Sequence, residues 1–153
     1  MEWLELKVPP VAVALIHGVG MWVLSGSGDS AVGLTTPLGL AAGSLVLLGA
    51  MLATTAVLQF RSYKTTVDPR EPAASSAIVT TGVYRFSRNP MYLAFGLILA
   101  GWSLYLAEPQ TLLLIPVFVL YITRFQIRPE ERLLEERFGS EYAEYSSQVR
   151  RWA

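Results

Sequence analysis

The chain has 153 residues, a length that fits one domain, and 52% of them are hydrophobic while only 16% are charged, against roughly 25% in an ordinary soluble domain. With a mean hydropathy of +0.41 and four long apolar runs, this composition argues for an integral membrane protein. A net charge of zero excludes a generally basic nucleic-acid binder. The absence of cysteine excludes disulfides, thiolate metal sites and a cysteine nucleophile. The single histidine, His17, excludes His-box di-iron and bis-His haem centres, so no metal is expected.

The acidic start MEWLELK lacks the basic region and small-residue cleavage site of a secretory leader, so the first apolar run, Val8 to Leu24, is expected to stay as a helix. Only His17 interrupts it, and beside Gly18 and Gly20 that residue reads as a packing position. The second run, Leu34 to Phe60, is free of charge. As a helix it would reach roughly 40 Å, longer than a bilayer core of about 30 Å. Gly39, Gly43 and Gly49 within it would permit close helix approach. The third run is Met91 to Ala107 and the fourth Pro109 to Thr123. Glu108-Pro109 between them breaks the helical pattern and predicts a tight helical hairpin.

Lys and Arg distribute asymmetrically. Arg61, Lys64, Arg70, Arg85 and Arg88 lie between the second and third runs, and Arg124, Arg128, Arg132, Arg137, Arg150 and Arg151 after the fourth. The two remaining connections carry only Asp29 and Glu108. Four spans with both termini and the 61–89 loop in the cytoplasm satisfy this pattern. The spans contain no Asp, Glu, Lys or Arg, which counts against a proton-coupled transporter.

Polar chemistry is therefore expected in two cytoplasmic segments. The first, Arg61 to Asn89, contains Pro69, Pro72, a small-residue stretch Ala73 to Ala77 and a β-prone patch Ile78 to Thr81. At its end Asn89 is a natural N-cap and Pro90 suits the first helical position. Arg85 and Arg88 beside that helix start make an anion site for a carboxylate or phosphate, or else anchor the chain at lipid headgroups. The second segment, Arg128 to Trp152, begins with Pro129-Glu130-Glu131, which reads as a helix start. Leu134, Phe138, Tyr142, Tyr145 and Val149 follow on one helical face, with Gly139 as a possible break. One turn back along that stripe lies Glu130, directed inward, whereas Glu135, Glu136 and Glu144 are better placed to face water. A peripheral amphipathic helix would produce the same stripe.

These residues resemble a known family. Gly82-x-Tyr84-x-x-x-Arg88-Asn89-Pro90-x-Tyr92, an apolar hairpin, then Glu130-Glu131 and Arg137-Phe138-Gly139-x-Glu141-Tyr142-x-x-Tyr145 are similar to the isoprenylcysteine carboxyl methyltransferases and to the bacterial and phospholipid N-methyltransferases that share the pattern. The match covers roughly residues 60–152. The resemblance implies one membrane domain over residues 1–153, all-α with four transmembrane helices. The cytoplasmic loop and the C-terminal amphipathic helix would close over S-adenosylmethionine. It further implies cofactor contacts from Ile78, Val79, Tyr84, Asn89, Pro90 and Tyr92, with Glu130 and Glu131 on the opposite side. Arg88 and Arg128 would be the catalytic cations and a lipophilic or prenylated molecule the acceptor. The family's better-known members have His at the position of Asn89, and often an arginine at the position of Gln126, which here is flanked by Arg124 and Arg128. Carboxyl O-methylation is the leading expectation. Amine N-methylation, an NADPH-dependent membrane reductase and a non-enzymatic scaffold stand as alternatives.

Overall fold

The computed structural model describes residues 5–62 and 78–153. Among them the chain forms six α-helices: α1 (Pro10–Leu24), α2 (Pro37–Ser62), α3 (Pro90–Leu106), α4 (Leu114–Ile122), α5 (Arg128–Phe138) and α6 (Ser140–Gln148). Pro69, Pro72 and the stretch Ala73 to Ala77 lie outside the described residues. Ile78 to Thr81 forms no strand; it leads instead into a 3₁₀ turn over Gly82–Arg85.

Prolines mark the helix starts. Pro10, Pro37 and Pro90 each occupy the first position of a helix, where the missing N–H has no intrahelical partner to lose. Thr36 Oγ1 accepts from Gly39 N at 3.1 Å and so caps α2. The hairpin between α3 and α4 forms as expected: Ala107 adopts a left-handed conformation (φ 57°), and Pro109–Leu113 starts the return as a 3₁₀ turn. Thr111 Oγ1 donates to the Glu108 carbonyl at 2.7 Å and shares a buried 2.6 Å hydrogen bond with Ser103. Glu108 accepts from Ser30 at 2.5 Å, tying this end of the bundle to the α1–α2 connection.

Helices α2 and α3 make the closest contact. A Cβ on Gly49 would lie 2.8 Å from the Ala94 carbonyl oxygen, and one on Gly101 would lie 2.6 Å from that of Ala42. Ala42, Gly49 and Ala56 are buried along α2 at seven-residue spacing. Small residues thus let two backbones touch where larger ones would hold them apart. Gly43, expected on this seam, faces open space, and Gly39 packs against its own turn at Gly33. The second interface joins α1, α3 and α4 through Val13, Met21, Leu99, Leu106, Phe118 and Ile122. His17 is a packing residue there, with Nδ1 2.8 Å from the Val13 carbonyl and its ring edge-on to Phe118.

Among the described residues two helices are long and apolar enough to cross a membrane: α2 and the continuous helical run Pro109–Phe138. The other two, α1 and α3, are apolar but shorter. Leu15, Ile16, Val19, Leu40, Leu47 and Leu58 are exposed on α1 and α2, an apolar surface suited to lipid. From Arg128 onward the last run carries Arg128, Glu130, Glu131, Arg132, Glu135, Glu136 and Arg137. A charge density this high puts α5 outside the apolar, membrane-spanning part.

Pro129 does not open a new helix, as the sequence pattern suggests it should. The helix runs through it from α4 by way of a π-turn over Thr123–Ile127. Pro129 has no N–H to offer the carbonyl of Phe125. That carbonyl instead accepts from Leu6 N at 3.0 Å. Glu5 beside it pairs with Arg124 at 2.5 Å and with Arg132, and Arg124 holds its carboxyl below the usual carboxylate range. The N-terminal segment therefore completes a helix that its own proline leaves short of a donor.

Candidate functional site

The site lies at the charged end of the bundle, where the start of α3, the helices α5 and α6, and the final residues converge. Gly82 makes the approach possible. Its φ is +57°, and a Cβ there would fall 1.4 Å from Gln59 Nε2, while Gln59 Oε1 accepts from Val83 N at 3.2 Å. The turn seats Tyr84 in a small core with Ala56 and Val79, its ring edge-on to Phe60. Burial raises the Tyr84 phenol well above its ordinary range, and its hydroxyl meets no partner among the described residues. From α6, the Tyr145 hydroxyl donates to the Tyr84 carbonyl at 2.8 Å.

The next residues face α5. Asn89 occupies the N-cap position of α3 but makes no side-chain cap. Its Nδ2 donates instead to the Arg151 carbonyl at 2.9 Å, and its own N–H donates to Ser87 Oγ. Pro90 follows, buried, at the first helical position. Two residues on, the buried Tyr92 hydroxyl donates to Glu130 Oε1 at 2.5 Å. Glu130 is thus directed inward, as the helical stripe predicts, while Glu135, Glu136 and Glu144 are exposed. Burial pushes the Glu130 carboxyl up to about 8, against the lowering effect of the Tyr92 hydrogen bond.

Arg88 does not stand open beside the helix start. Its Nη1 lies 3.1 Å from Glu131 Oε1 and donates to the Tyr142 hydroxyl at 3.2 Å. Burial pushes the Tyr142 phenol up to about 12, so it remains a neutral acceptor. Arg151 takes the same glutamate from the other side, with Nε 3.0 Å from Oε1 and Nη2 2.6 Å from Oε2. Arg85 and Arg128 are exposed. The buried Gln126, in the π-turn, donates from Nε2 to the Val8 carbonyl at 2.7 Å, and its Oε1 has no partner among the described residues.

The structure therefore brings together Arg88, Asn89, Pro90, Tyr92, Glu130 and Glu131. Tyr145, edge-on to Tyr142, ties Tyr84 to them; Val79 packs with Tyr84, Ile78 adjoins it in the chain, and Arg128 is left on the outside. Sequence reasoning missed Arg151, counted only as a topology marker. It read Tyr142 and Tyr145 as apolar stripe positions, although their hydroxyls reach the loop before α3. Two tyrosines on an inward face beside an arginine pair were the available signal. Gly139 does break the C-terminal helix, at φ +50°, and this re-aims Tyr142 and Tyr145 toward the loop.

An apolar helical bundle thus presents its ion-paired arginines and Glu130 at the end where α3 begins. The phospholipid methyltransferase family matches residues 38–141, and the chain belongs to that family. Protein-S-isoprenylcysteine O-methyltransferase of Saccharomyces cerevisiae is 34% identical over 108 residues, 69% of this chain and 44% of the yeast protein. Protein-S-isoprenylcysteine O-methyltransferase B of Arabidopsis thaliana is 30% identical over 107 residues, 69% of this chain and 54% of the plant protein. These relatives bear out the resemblance carried by the two motifs, and the chain spans about half their length. An uncharacterized protein of Haemophilus influenzae is 47% identical over 62 residues, 40% of this chain and 98% of that protein. No solved structure matches.

Proposed function

We propose that the chain is an integral membrane S-adenosylmethionine-dependent methyltransferase, with four spans and with both termini and the site in the cytoplasm. The observation that carries this reading is the meeting of Tyr92 with Glu130 and of Arg88 with Glu131 at one end of an apolar bundle. The residues present fit the cofactor. Its ribose and amine offer donors to Glu130, and its carboxylate suits the buried Arg88 Nε, which has no acceptor among the described residues. When bound, S-adenosylmethionine supplies a methyl group already activated on a sulfonium. This chain's residues then need only bind, orient and exclude water, and positioning alone can contribute roughly 7–11 kcal/mol.

In this reading Ile78, Val79, Tyr84, Asn89, Pro90 and Tyr92 line one side of the cofactor, and Glu130 and Glu131 the other. Arg88 and the exposed Arg128 are the cations available to a carboxylate, the cofactor's or the acceptor's. An apolar groove of about 580 Å³ between α1 and α3, lined by residues such as Leu15, Gly18, Phe95, Leu99 and Trp102, supports a lipidic or prenylated acceptor. Its Phe95 lies one turn along α3 from Tyr92. Carboxyl O-methylation needs no base. A second reading, amine N-methylation, is favoured by the raised Glu130, a proton acceptor matched to an ammonium near neutral pH.

Calorimetric titration of the purified protein with S-adenosylmethionine and with NADPH tests the class. Binding of the first alone supports the methyltransferase, binding of the second alone a reductase, and binding of neither a scaffold. Methyl transfer to a farnesylated cysteine rather than to phosphatidylethanolamine then separates the O- from the N-reading.

A further inference from the structure

Arg88, Arg151 and Glu131 form a largely buried cluster of two cations and one anion. Their side chains are 14%, 36% and 16% exposed. Tyr142, which completes Arg88's contacts, is neutral, and Glu130 is engaged by Tyr92. Arg88, Arg151 and Glu131 by themselves sum to one positive charge, and Arg88 Nε is a buried donor without an acceptor among the described residues. An unfilled donor on a surplus cation is costly to bury unless an anion arrives.

The two arginines hold Glu131 unequally. Arg151 grips both carboxylate oxygens in a fork, at 3.0 and 2.6 Å, whereas Arg88 touches one of them through a single nitrogen at 3.1 Å. Arg88 can therefore release the glutamate without leaving it unpaired. The backbone of the same tail fixes the geometry: the Arg150 carbonyl accepts from Arg88 N at 3.0 Å, and the Arg151 carbonyl accepts from Asn89 Nδ2. Arg151 lies beyond residues 38–141, the part matched by the family.

We propose that Arg151 is a positioning residue that occupies Glu131 so that Arg88 is free to bind a ligand carboxylate. The inference rests on the methyltransferase reading, in which such a carboxylate belongs either to the methionine part of the cofactor or to the acceptor. Without Arg151 the cluster is neutral, and Arg88 is locked to Glu131. Removing the glutamate charge as well frees Arg88 again.

The test is calorimetry on the full chain in detergent with Arg151→Gln and with Arg151→Gln/Glu131→Gln. The probes form two pairs: S-adenosylhomocysteine with 5′-methylthioadenosine, which lacks the amino-acid part, and N-acetyl-S-farnesylcysteine with its methyl ester. The single variant should lose about tenfold or more in affinity for the carboxylate-bearing member of one pair and bind the other member unchanged. The double variant should recover most of that loss. Selective loss in the nucleoside pair assigns the carboxylate to the cofactor, and selective loss in the farnesyl pair assigns it to the acceptor. Unchanged binding of the carboxylate-free members shows that the variant remains folded. Equal losses within both pairs, no loss in either, or no recovery in the double variant would overturn the role of Arg151. Failure of the unsubstituted protein to bind either nucleoside would remove the methyltransferase reading itself, and this proposal with it.

Discussion

The α2–α3 seam and the C-terminal clasp are built from opposite materials. Along the seam, Gly49 and Gly101 bring two backbones into van der Waals contact beside the apolar Ile98 and Val46. At the clasp, α5, α6 and the tail reach the start of α3 through hydroxyls, carbonyls and three ionised side chains. The seam's stability resides in shape, so it fails when volume is added. The clasp resides in directed polar contacts, and these can be exchanged for a ligand's groups without disturbing the bundle. The seam runs along α3, and the clasp meets the start of the same helix at Arg88, Asn89 and Tyr92.

The largest expected effect falls on the seam. Gly49→Leu must force apart backbones that already meet, and it should destabilise the protein by about 3 kcal/mol or more. Gly43→Leu, facing open space on the same helix, should stay within about 0.5 kcal/mol. Denaturation in mixed micelles compares them; equal effects would mean that α2 does not pack on α3 along this face.

A smaller effect is expected within the clasp. Tyr145→Phe removes the donor to the Tyr84 carbonyl and should cost about 1 kcal/mol of stability. It should leave the α2–α3 contact intact, as hydrogen exchange resolved by segment would show. Exchange that rises equally in α2 and in the 82–89 segment would contradict the separation of the two regions.

A pH dependence, set by Glu130, is expected as well. Glu130 is raised to about 8 from an ordinary 4.5, so the folded state holds a proton that the unfolded state has lost. Its contribution to stability is fully present below about 4.5 and is lost as pH rises through 8. Glu130→Gln should therefore flatten the stability profile between these values, while Glu135→Gln should leave the slope unchanged. A slope that survives in the Glu130 variant would place the responsible proton elsewhere.

Much of the apolar architecture was legible because burial imposes a period on the sequence. The hairpin at Glu108-Pro109, Pro90 at the helix start, the break at Gly139 and the inward Glu130 all follow from spacing or from backbone chemistry. The glycine seam was legible in part. Gly49 belongs to it, but a glycine marks where approach is allowed rather than which face a partner occupies, and so Gly43 was misassigned. Contacts between residues far apart in the chain left no local mark. Arg151 reaches Glu131, and the Leu6 N–H supplies the carbonyl that Pro129 orphans. The latter is recoverable in principle, because a proline that continues a helix leaves one carbonyl in need of a donor. The π-turn that carries Gln126 has no comparable signal in composition or period.

On the proposed reading, the charged end of the bundle binds S-adenosylmethionine through Glu130. The most direct measurement is calorimetric titration of that cofactor into the unsubstituted protein, Glu130→Gln and Glu135→Gln in the same detergent. Each substitution exchanges one carboxyl oxygen for an amide nitrogen and nearly keeps the side chain's shape. Glu130 meets the Tyr92 hydroxyl in a partly buried site, and Glu135 is exposed. Loss of a hydrogen bond to the inward carboxylate should weaken binding about tenfold or more in Glu130→Gln, with Glu135→Gln indistinguishable from the unsubstituted protein. Equal affinities for all three would contradict the assignment and leave the Tyr92–Glu130 pair as a structural tie between α3 and α5.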